Sequence, residues 1–242
     1  MGRMADAPST PAAAAATPVV ETDGVWIVIP LYNEASVIAG VIAELLAVFP
    51  HVVCVDDGST DDSARVAEQA GARVIRHPHN LGQGAALQTG ISYARSQADC
   101  RYIVPFDADG QHRLVDALAM LELAEREGAA IVFGSRFLDD RTKPGLAKKI
   151  VLKTAVAVTN LSTGLTLTDA HNGLRVLRVD AAHAVNLKQD RMAHASEIVV
   201  QLGRSGLPWR EFPVEVLYTD YSKAKGQSLL NSINILVDLI IN

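Results

Sequence analysis

The stretch VPFDADGQHR, residues 104–113, places three oxygen-bearing side chains at alternate positions directly after an apolar run. Asp107, Asp109 and Gln111 fall on one side of the chain if the backbone stays extended. Two carboxylates held that close repel each other, so either one binds a proton or a cation lies between them. Oxygen ligands without a Cys or His cluster suit a hard divalent cation, Mg²⁺ or Mn²⁺. The spacing therefore favours a metal site formed by Asp107, Asp109 and Gln111.

A second acidic stretch, DDGSTDD, follows the apolar run HVVCV. A capped turn is enough to explain residues 59–62, because Ser and Asp commonly begin helices. Asp56 is different, since it still lies in strand register and is expected at the same sheet edge as Asp107.

Strands and helices alternate from Val25 onward, and Asn33 is predicted to cap the first helix. The predicted strands are VWIVIP (25–30), HVVCVDDGS (51–59), ARVIRH (72–77), RYIVPF (101–106), AAIVFGSRF (129–137) and EFPVEVLY (211–218). Such alternation with near-continuous apolar strands predicts an α/β fold, a mostly parallel sheet flanked by helices on both faces. Ligands of these folds bind beyond the carboxyl ends of the strands, where both acidic stretches lie.

Composition limits the function classes. The chain has 242 residues and a net charge of −5, which gives no general attraction to nucleic acid. Its two cysteines suggest no disulfide framework and favour a reducing cytoplasm. No window reaches the roughly 18 apolar residues of a spanning helix, so the protein is not expected to be integral to a membrane. Residues 1–23 are predicted to form a disordered Ala/Pro-rich tail.

The loop NLGQGAALQTG, residues 80–90, partly matches a dinucleotide-binding fingerprint through Gly82, Gly84 and Ala86. It follows the third predicted strand, whereas the fingerprint belongs after the first. An NAD-dependent oxidoreductase is therefore a weak alternative.

Six motifs in order carry a stronger signal: VIPLYNE, VDDGSTD, NLGQGAALQTG, FDADGQH, GSRF and DAHNGLRVLR. Together they resemble the inverting glycosyltransferases of GT-A (Rossmann-like) fold, in particular the polyprenyl-phosphate sugar transferases related to dolichol-phosphate mannose synthase. The segments AHASEI and VEVLYTDYSKAKGQSLLN resemble actinobacterial polyprenyl-phospho-N-acetylgalactosaminyl synthases still more closely. Gln83, where many relatives carry Lys, and the TDYSKAKGQ segment argue against a GDP-mannose donor.

The resemblance implies a role for each matching residue. The acids of the DAD motif and Gln111 would hold the metal and the diphosphate, while Arg136 and Arg175 would lie near the acceptor phosphate. Asp107, Asp109, Arg136 and Arg175 are thus the expected catalytic residues. The expected nucleotide-sugar-binding residues are Pro30, Tyr32, Glu34, Asp56, Asp57, Gly84, Asp107, Ala108, Tyr221, Ser222, Lys223 and Lys225.

The expected reaction moves a sugar, best N-acetylgalactosamine, from a UDP-sugar to polyprenyl phosphate. Glucosyl or mannosyl transfer is the near alternative, and a non-catalytic nucleotide-sugar-binding subunit is the alternative from another class. The attacking lipid phosphate is largely dianionic at neutral pH and needs no general base, so none is assigned to His194 or Glu197.

The expected glycosyltransferase domain covers residues 24–228, followed by an apolar helix at 229–242 that contacts a membrane interface or a second copy. A Lys-studded segment at 146–161 could also lie on anionic head groups. The expected location is cytoplasmic, peripheral on the inner face of the plasma membrane, with a homo-oligomer as an option.

Overall fold

The computed structural model describes residues 20–139, 160, 164–170, 172–189 and 193–217. The strands are β1 (Val25–Leu31), β2 (His51–Asp56), β3 (Arg73–Arg76), β4 (Tyr102–Pro105), β5 (Ile131–Ser135), β6 (Arg175–Arg178) and β7 (Trp209–Pro213). The helices are α1 (Ile38–Leu46), α2 (Ser63–Gln69), α3 (Gln83–Arg95), α4 (Leu114–Glu127), α5 (Val179–His183) and α6 (Ala193–Arg204).

The strands form one seven-stranded sheet in the order β3-β2-β1-β4-β6-β5-β7. All pairings are parallel except those of β6, which runs antiparallel to both β4 and β5. The predicted mostly parallel α/β sheet is confirmed. The reversal of β6 matters for the site, because it brings the first residue of that strand, Arg175, to the edge where the parallel strands end.

Helices cover both faces of the sheet. Apolar side chains of α1, α2 and α4 pack on one face and those of α3, α5 and α6 on the other, which divides the core into two clusters. The central strands β1, β2, β4 and β5 are almost wholly buried, as their continuous apolar sequences require. None of the helices within the described ranges combines the length and apolarity needed to cross a membrane.

The predicted N-cap at Asn33 is wrong. Helix α1 begins at Ile38, and Asn33 instead adopts a left-handed conformation with φ of 55°. Its side-chain oxygen accepts hydrogen bonds from the backbone N–H and the hydroxyl of Thr60, and its own N–H donates to Ser59 Oγ. Asn33 therefore joins the loop after β1 to the loop after β2, and this tertiary contact replaces the helix cap.

Candidate active site

A cavity of about 410 Å³ opens where the carboxyl ends of β1, β2 and β4 meet the amino end of β6. This is the edge at which parallel α/β sheets bind ligands. Its lining residues are Pro30, Leu31, Tyr32, Glu34, Asp57, Asn80, Gln83, Ala86, Asp107, Ala108, Asp109, Gly173, Arg175, His194 and Ala195. Many of the predicted site residues, drawn from four separate motifs, thus face one space.

Asp107 lies directly after β4 in a strongly basic environment. Its Oδ2 is 2.9 Å from Nε2 of buried His112, an ion-pair distance that does not meet hydrogen-bond geometry. Burial alone would raise the pKa of the Asp107 carboxyl, but the combined effect of His112, Arg175 and His194 lowers the pKa below its usual value. The side chain is still 35% exposed, so an ionised carboxylate faces the cavity.

Asp109 has the opposite environment. Burial, and then the nearby charge of Asp107, raise the pKa of its carboxyl to about 6, although Oδ1 accepts a hydrogen bond from the backbone N–H of Gln111. The two acids therefore repel each other in the protein alone, as their spacing predicted.

The donor set around these acids fits a hard divalent cation. Within the described ranges, no group of three or more His, Cys, Asp and Glu side chains is arranged to hold a metal. Two carboxylates are nevertheless enough for Mg²⁺, which commonly takes one or two of them and completes its shell with water and substrate phosphate. Gln111 is buried and does not line the cavity, so the predicted third ligand stays a prediction.

Arg175 brings a buried positive charge to the cavity wall. It is 3% exposed, and its Nη1 donates to the carbonyl oxygen of Gly173 at 3.2 Å. Its Nε atom has no hydrogen-bond partner among the described residues. Burial lowers the pKa of the guanidinium to about 10, with the charges of Asp107 and Asp169 acting against that shift, so Arg175 remains protonated at neutral pH. A buried cation with a donor to spare suits an anionic ligand.

Gly173 allows the β6 segment to cover Asp107. A Cβ at this position would lie 2.9 Å from Asp107 Oδ2 and 3.1 Å from His112 Nε2. The motif NGLR therefore needs its glycine because no side chain fits between β6 and the acid.

Arg136, at the end of β5, is bound by Asp169. The guanidinium donates from Nε to Oδ2 at 2.6 Å and from Nη2 to Oδ1 at 2.8 Å. Arg136 is not among the cavity-lining residues, and its side chain is 14% exposed. Its predicted contact with an acceptor phosphate thus stays a prediction.

Asp57 organises the loop that closes one side of the cavity. Its carboxylate accepts hydrogen bonds from the backbone N–H groups of Leu81 and Gly82 and contacts His77 Nδ1 at 2.7 Å. Asp56 is also buried, but its Oδ1 has no hydrogen-bond partner within the described part of the chain. The two neighbouring acids therefore differ in their partners. The Asp57 carboxylate binds backbone groups of the protein, whereas Asp56 Oδ1 remains available to accept a hydrogen bond.

The helix α6 supplies two lining residues that the sequence did not assign, His194 and Ala195. Gly84 makes room for this region, because a Cβ there would lie 2.4 Å from the carbonyl of Gln189 and 2.8 Å from His194 Cβ. Its predicted contact with the donor stays a prediction. Glu197 accepts hydrogen bonds from the backbone N–H groups of Lys188 and Gln189 and does not line the cavity. The absence of a catalytic role for Glu197 stays a prediction.

Other residues missed by sequence reasoning are Asn80 and Gln83, which line the cavity, and His112 and Asp169, which contact charged site residues. The DADGQH motif contained His112, so its position after the acids was the available signal.

Several predicted features lie outside the described residues. They are Tyr221, Ser222, Lys223 and Lys225, the Lys-studded segment 146–161 apart from residue 160, and the predicted helix at 229–242.

Comparison with known sequences identifies the class. The chain matches the family model for glycosyl transferase family 2 over residues 26–185 and belongs to that family. It is therefore a glycosyltransferase that takes its sugar from a nucleotide sugar, and the NAD-dependent alternative is not supported.

Individual relatives align nearly end to end. An uncharacterised protein of Methanocaldococcus jannaschii is 33% identical over 226 residues, which cover 91% of this chain and 93% of that protein. The UDP-N-acetylglucosamine–dolichyl-phosphate N-acetylglucosaminyltransferase of Methanococcus voltae is 26% identical, covering 89% of this chain and 94% of that one.

A solved structure supports the GT-A fold. Glucosyl-3-phosphoglycerate synthase from Mycobacterium tuberculosis, in complex with Mn²⁺, UDP-glucose and phosphoglyceric acid, superimposes with a TM-score of 0.64. The match covers 90% of this chain and 79% of that chain at 18% identity.

Proposed function

We propose that this glycosyltransferase moves a sugar from a UDP-sugar to polyprenyl phosphate with inversion at the anomeric carbon and with the help of Mg²⁺ or Mn²⁺. One observation carries the proposal: a single cavity holds the acid pair Asp107 and Asp109 and the buried cation Arg175. The acids suit a metal-bound diphosphate, and the guanidinium suits a second phosphate. The relative that acts on dolichyl phosphate, aligned over nearly its whole length, supports a lipid acceptor.

On the donor side, the chain's task is to hold a nucleotide diphosphate at the acid pair. A bound divalent cation would act as a Lewis acid for the negative charge that develops on the departing UDP. Asp107 is kept ionised by His112 and Arg175, and Asp109 offers a second oxygen ligand. Pro30, Tyr32, Glu34, Asp56, Asp57 and Ala108 are the proposed donor contacts nearby, with Gln111 as a third metal ligand and Tyr221, Ser222, Lys223 and Lys225 as diphosphate contacts.

On the acceptor side, the chain must orient a phosphate but need not deprotonate it. A phosphate oxygen of the lipid attacks the anomeric carbon, the bond to the diphosphate breaks, and its electron pair leaves with UDP. Because the second pKa of a phosphomonoester is about 6, the acceptor is already largely ionised at neutral pH. Arg175 is proposed to bind this phosphate directly and Arg136 to contribute beside it. Glu197 is occupied by backbone N–H groups and is not needed as a base.

The proposed sugar is N-acetylgalactosamine. The Methanococcus voltae relative is named for N-acetylglucosamine, which differs only in configuration at C4. Glucose and mannose remain the competing donors, so the identity of the sugar has to be decided by direct comparison.

We place the cavity edge against the cytoplasmic leaflet of the membrane. The exposed large apolar residues among those described are Tyr32, Leu81, Val115, Leu138 and Leu217. Tyr32, Leu81, Leu138 and Leu217 follow the carboxyl ends of parallel strands, and Val115 lies in the first turn of the helix that follows the DADGQH loop. Apolar side chains around a lipid-phosphate site would insert into the interface and bring the acceptor to the cavity.

The experiment that tests this function incubates purified protein with Mn²⁺, a short polyprenyl phosphate and a panel of nucleotide sugars. The panel contains UDP-N-acetylgalactosamine, UDP-N-acetylglucosamine, UDP-glucose and GDP-mannose, and glycolipid is detected by mass spectrometry. Formation of a polyprenyl-phosphate sugar from a UDP-sugar supports the proposal. Transfer only to a soluble acceptor such as phosphoglycerate would overturn it.

A further inference from the structure

Glu211 lies on the edge strand β7, and its carboxylate contacts the loop before β6. The strand pairs in parallel with β5, where Glu211 lies in register with Phe133, two residues before Ser135. Burial raises the pKa of the Glu211 carboxyl even though several donors act against that shift. A half-buried acid on an edge strand needs partners, because unpaired burial of a charge is costly.

Those partners are two consecutive residues of the loop that precedes β6. Glu211 Oε1 accepts hydrogen bonds from the Thr168 N–H at 2.8 Å, the Thr168 hydroxyl at 3.1 Å and the Asp169 N–H at 3.3 Å. The Thr168 hydroxyl also lies 2.6 Å from the hydroxyl of Ser135. Glu211 thus fixes the backbone at Asp169 from a strand 42 residues away.

Asp169, whose backbone is held by Glu211, in turn binds Arg136. Its side chain is fully buried and receives Nε and Nη2 of Arg136 as well as the Arg136 backbone N–H at 3.2 Å. Such a two-point contact sets the plane of a guanidinium and not only its position. The orientation of Arg136 therefore depends on where the backbone at Asp169 is held.

We propose that Glu211 is a positioning residue for the acceptor side of the reaction, acting through Thr168 and Asp169 on the Arg136 guanidinium. The inference rests on the proposed function, in which Arg136 contributes beside the acceptor phosphate. Displacing a positioned group by about 1 Å can cost on the order of 100-fold in rate, so a change at Glu211 reaches the reaction without touching substrate.

The first test separates the two substrates kinetically. Glu211→Ala is expected to raise the KM for a short polyprenyl phosphate by roughly tenfold, well within what misplacement can cause, and to leave the KM for the nucleotide sugar unchanged. Glu211→Gln keeps the Oε1 acceptor and is expected within about twofold of the natural enzyme. The matched control is Glu127→Ala. It removes the surface contact of Glu127 with Arg210, which precedes Glu211 on β7. A KM that rises equally for the polyprenyl phosphate and the nucleotide sugar would overturn the proposal.

A second readout does not require turnover. Phenylglyoxal modifies accessible guanidinium groups, and peptide mass spectrometry reports the rate at Arg136. Because Asp169 shields this group, Glu211→Ala is expected to raise the Arg136 modification rate severalfold, while Glu127→Ala leaves it unchanged. If Glu211→Ala does not fold, Thr168→Val, which removes the hydroxyl between Glu211 and Ser135, is expected to change the rate in the same direction.

The two readouts distinguish the possible failures. A natural enzyme that never uses a lipid phosphate would refute the proposed function, whereas the labelling would still decide whether Glu211 positions Arg136. Unchanged labelling of Arg136 in folded Glu211→Ala and Thr168→Val proteins refutes the positioning role.

Discussion

Asp107 and Asp109, separated by one residue in the loop after β4, have opposite electrostatic environments. His112 and Arg175 offset the effect of burial and lower the pKa of Asp107, whereas burial and the charge of Asp107 raise the pKa of Asp109 to about 6. Near neutral pH the first carboxylate is stably ionised, and the second is ionised at a cost. The pair is thus ready to accept a cation, which would remove that cost.

The cost at Asp109 makes stability depend on pH. The pKa of Asp109 in the folded protein, about 6, lies above its unfolded value of 3.8, so the folded state binds this proton more tightly. The loss of folding stability caused by ionised Asp109 is absent below about pH 4, grows between pH 4 and 6, and is complete above that range. Asp109→Asn should therefore stabilise the metal-free protein at pH 7.5 by about 1–3 kcal/mol and leave it unchanged at pH 4.

Thermal denaturation in EDTA at both pH values measures this effect. Glu44→Gln, on the exposed side of α1, controls for the loss of one negative charge. A gain from Asp109→Asn that is equal at the two pH values would contradict the electrostatic account.

Gly173→Ala should damage the acid pair without unfolding the protein. The added methyl group would lie 2.9 Å from Asp107 Oδ2 and displace that carboxylate. We expect Mn²⁺-dependent UDP binding, measured by calorimetry, to weaken at least about tenfold, or 1.4 kcal/mol. The control is Gly40→Ala in α1, where alanine should stabilise the helix by about 1 kcal/mol. Among the described residues, an added Cβ there meets no atom within 4 Å beyond its own stretch of helix. Unaltered UDP binding in Gly173→Ala would show that Asp107 does not contact the metal-diphosphate.

Arg175 should act on the acceptor more than on the donor. Arg175→Lys keeps a charge but loses the planar fork, so kcat/KM for polyprenyl phosphate should fall on the order of 100-fold, the scale seen when one transition-state donor is removed. Binding of UDP should change little. The matched control is Arg178→Ala at the other end of β6, which removes an ion pair with Asp180 of helix α5. A loss of UDP affinity comparable with the loss of acceptor efficiency would place Arg175 on the donor side.

The apolar rim of the cavity edge should contribute to membrane binding. Val115 and Leu138 are 54% and 43% exposed, and replacing both with Ser removes apolar surface that would enter the interface. We expect binding to anionic liposomes to weaken about 30-fold, with nucleotide binding retained, since the two side chains are worth roughly 1 kcal/mol each. Ala43→Ser, exposed on α1, is the control. Full liposome binding by the double variant would exclude this edge as the membrane contact.

The sequence predicted most of the fold because buried parallel strands have continuous apolar stretches bounded by turns. It did not predict strand β6, since this strand is only the four residues RVLR and lacks the continuous apolar run of β1, β2, β4 and β5. The cap at Asn33 failed for a related reason: hydrogen bonds from a loop 27 residues away outweighed the local preference. In both cases the deciding contacts are distant in sequence.

For the site too, the sequence predicted what depends on local pattern and not what depends on contacts distant in sequence. Acids at strand ends could be placed in one cavity because strand ends share an edge of the sheet. The partners of the charged residues could not, since Asp169 lies 33 residues from Arg136 and Glu211 lies 42 residues from Asp169. Likewise, the motif around Gly84 did not show that a Cβ there would meet the distant segment at Gln189 and His194. Local spacing does not show which chain segment packs against a glycine.

The release of UDP from a UDP-sugar tests the central claim most directly, when measured with and without Mn²⁺ and with and without polyprenyl phosphate. Our account predicts fast release only when both are present, loss of release in Asp107→Asn and Asp109→Asn, and no dependence on an added base. Release that is equally fast without the lipid phosphate, or unchanged in the presence of EDTA, would contradict it.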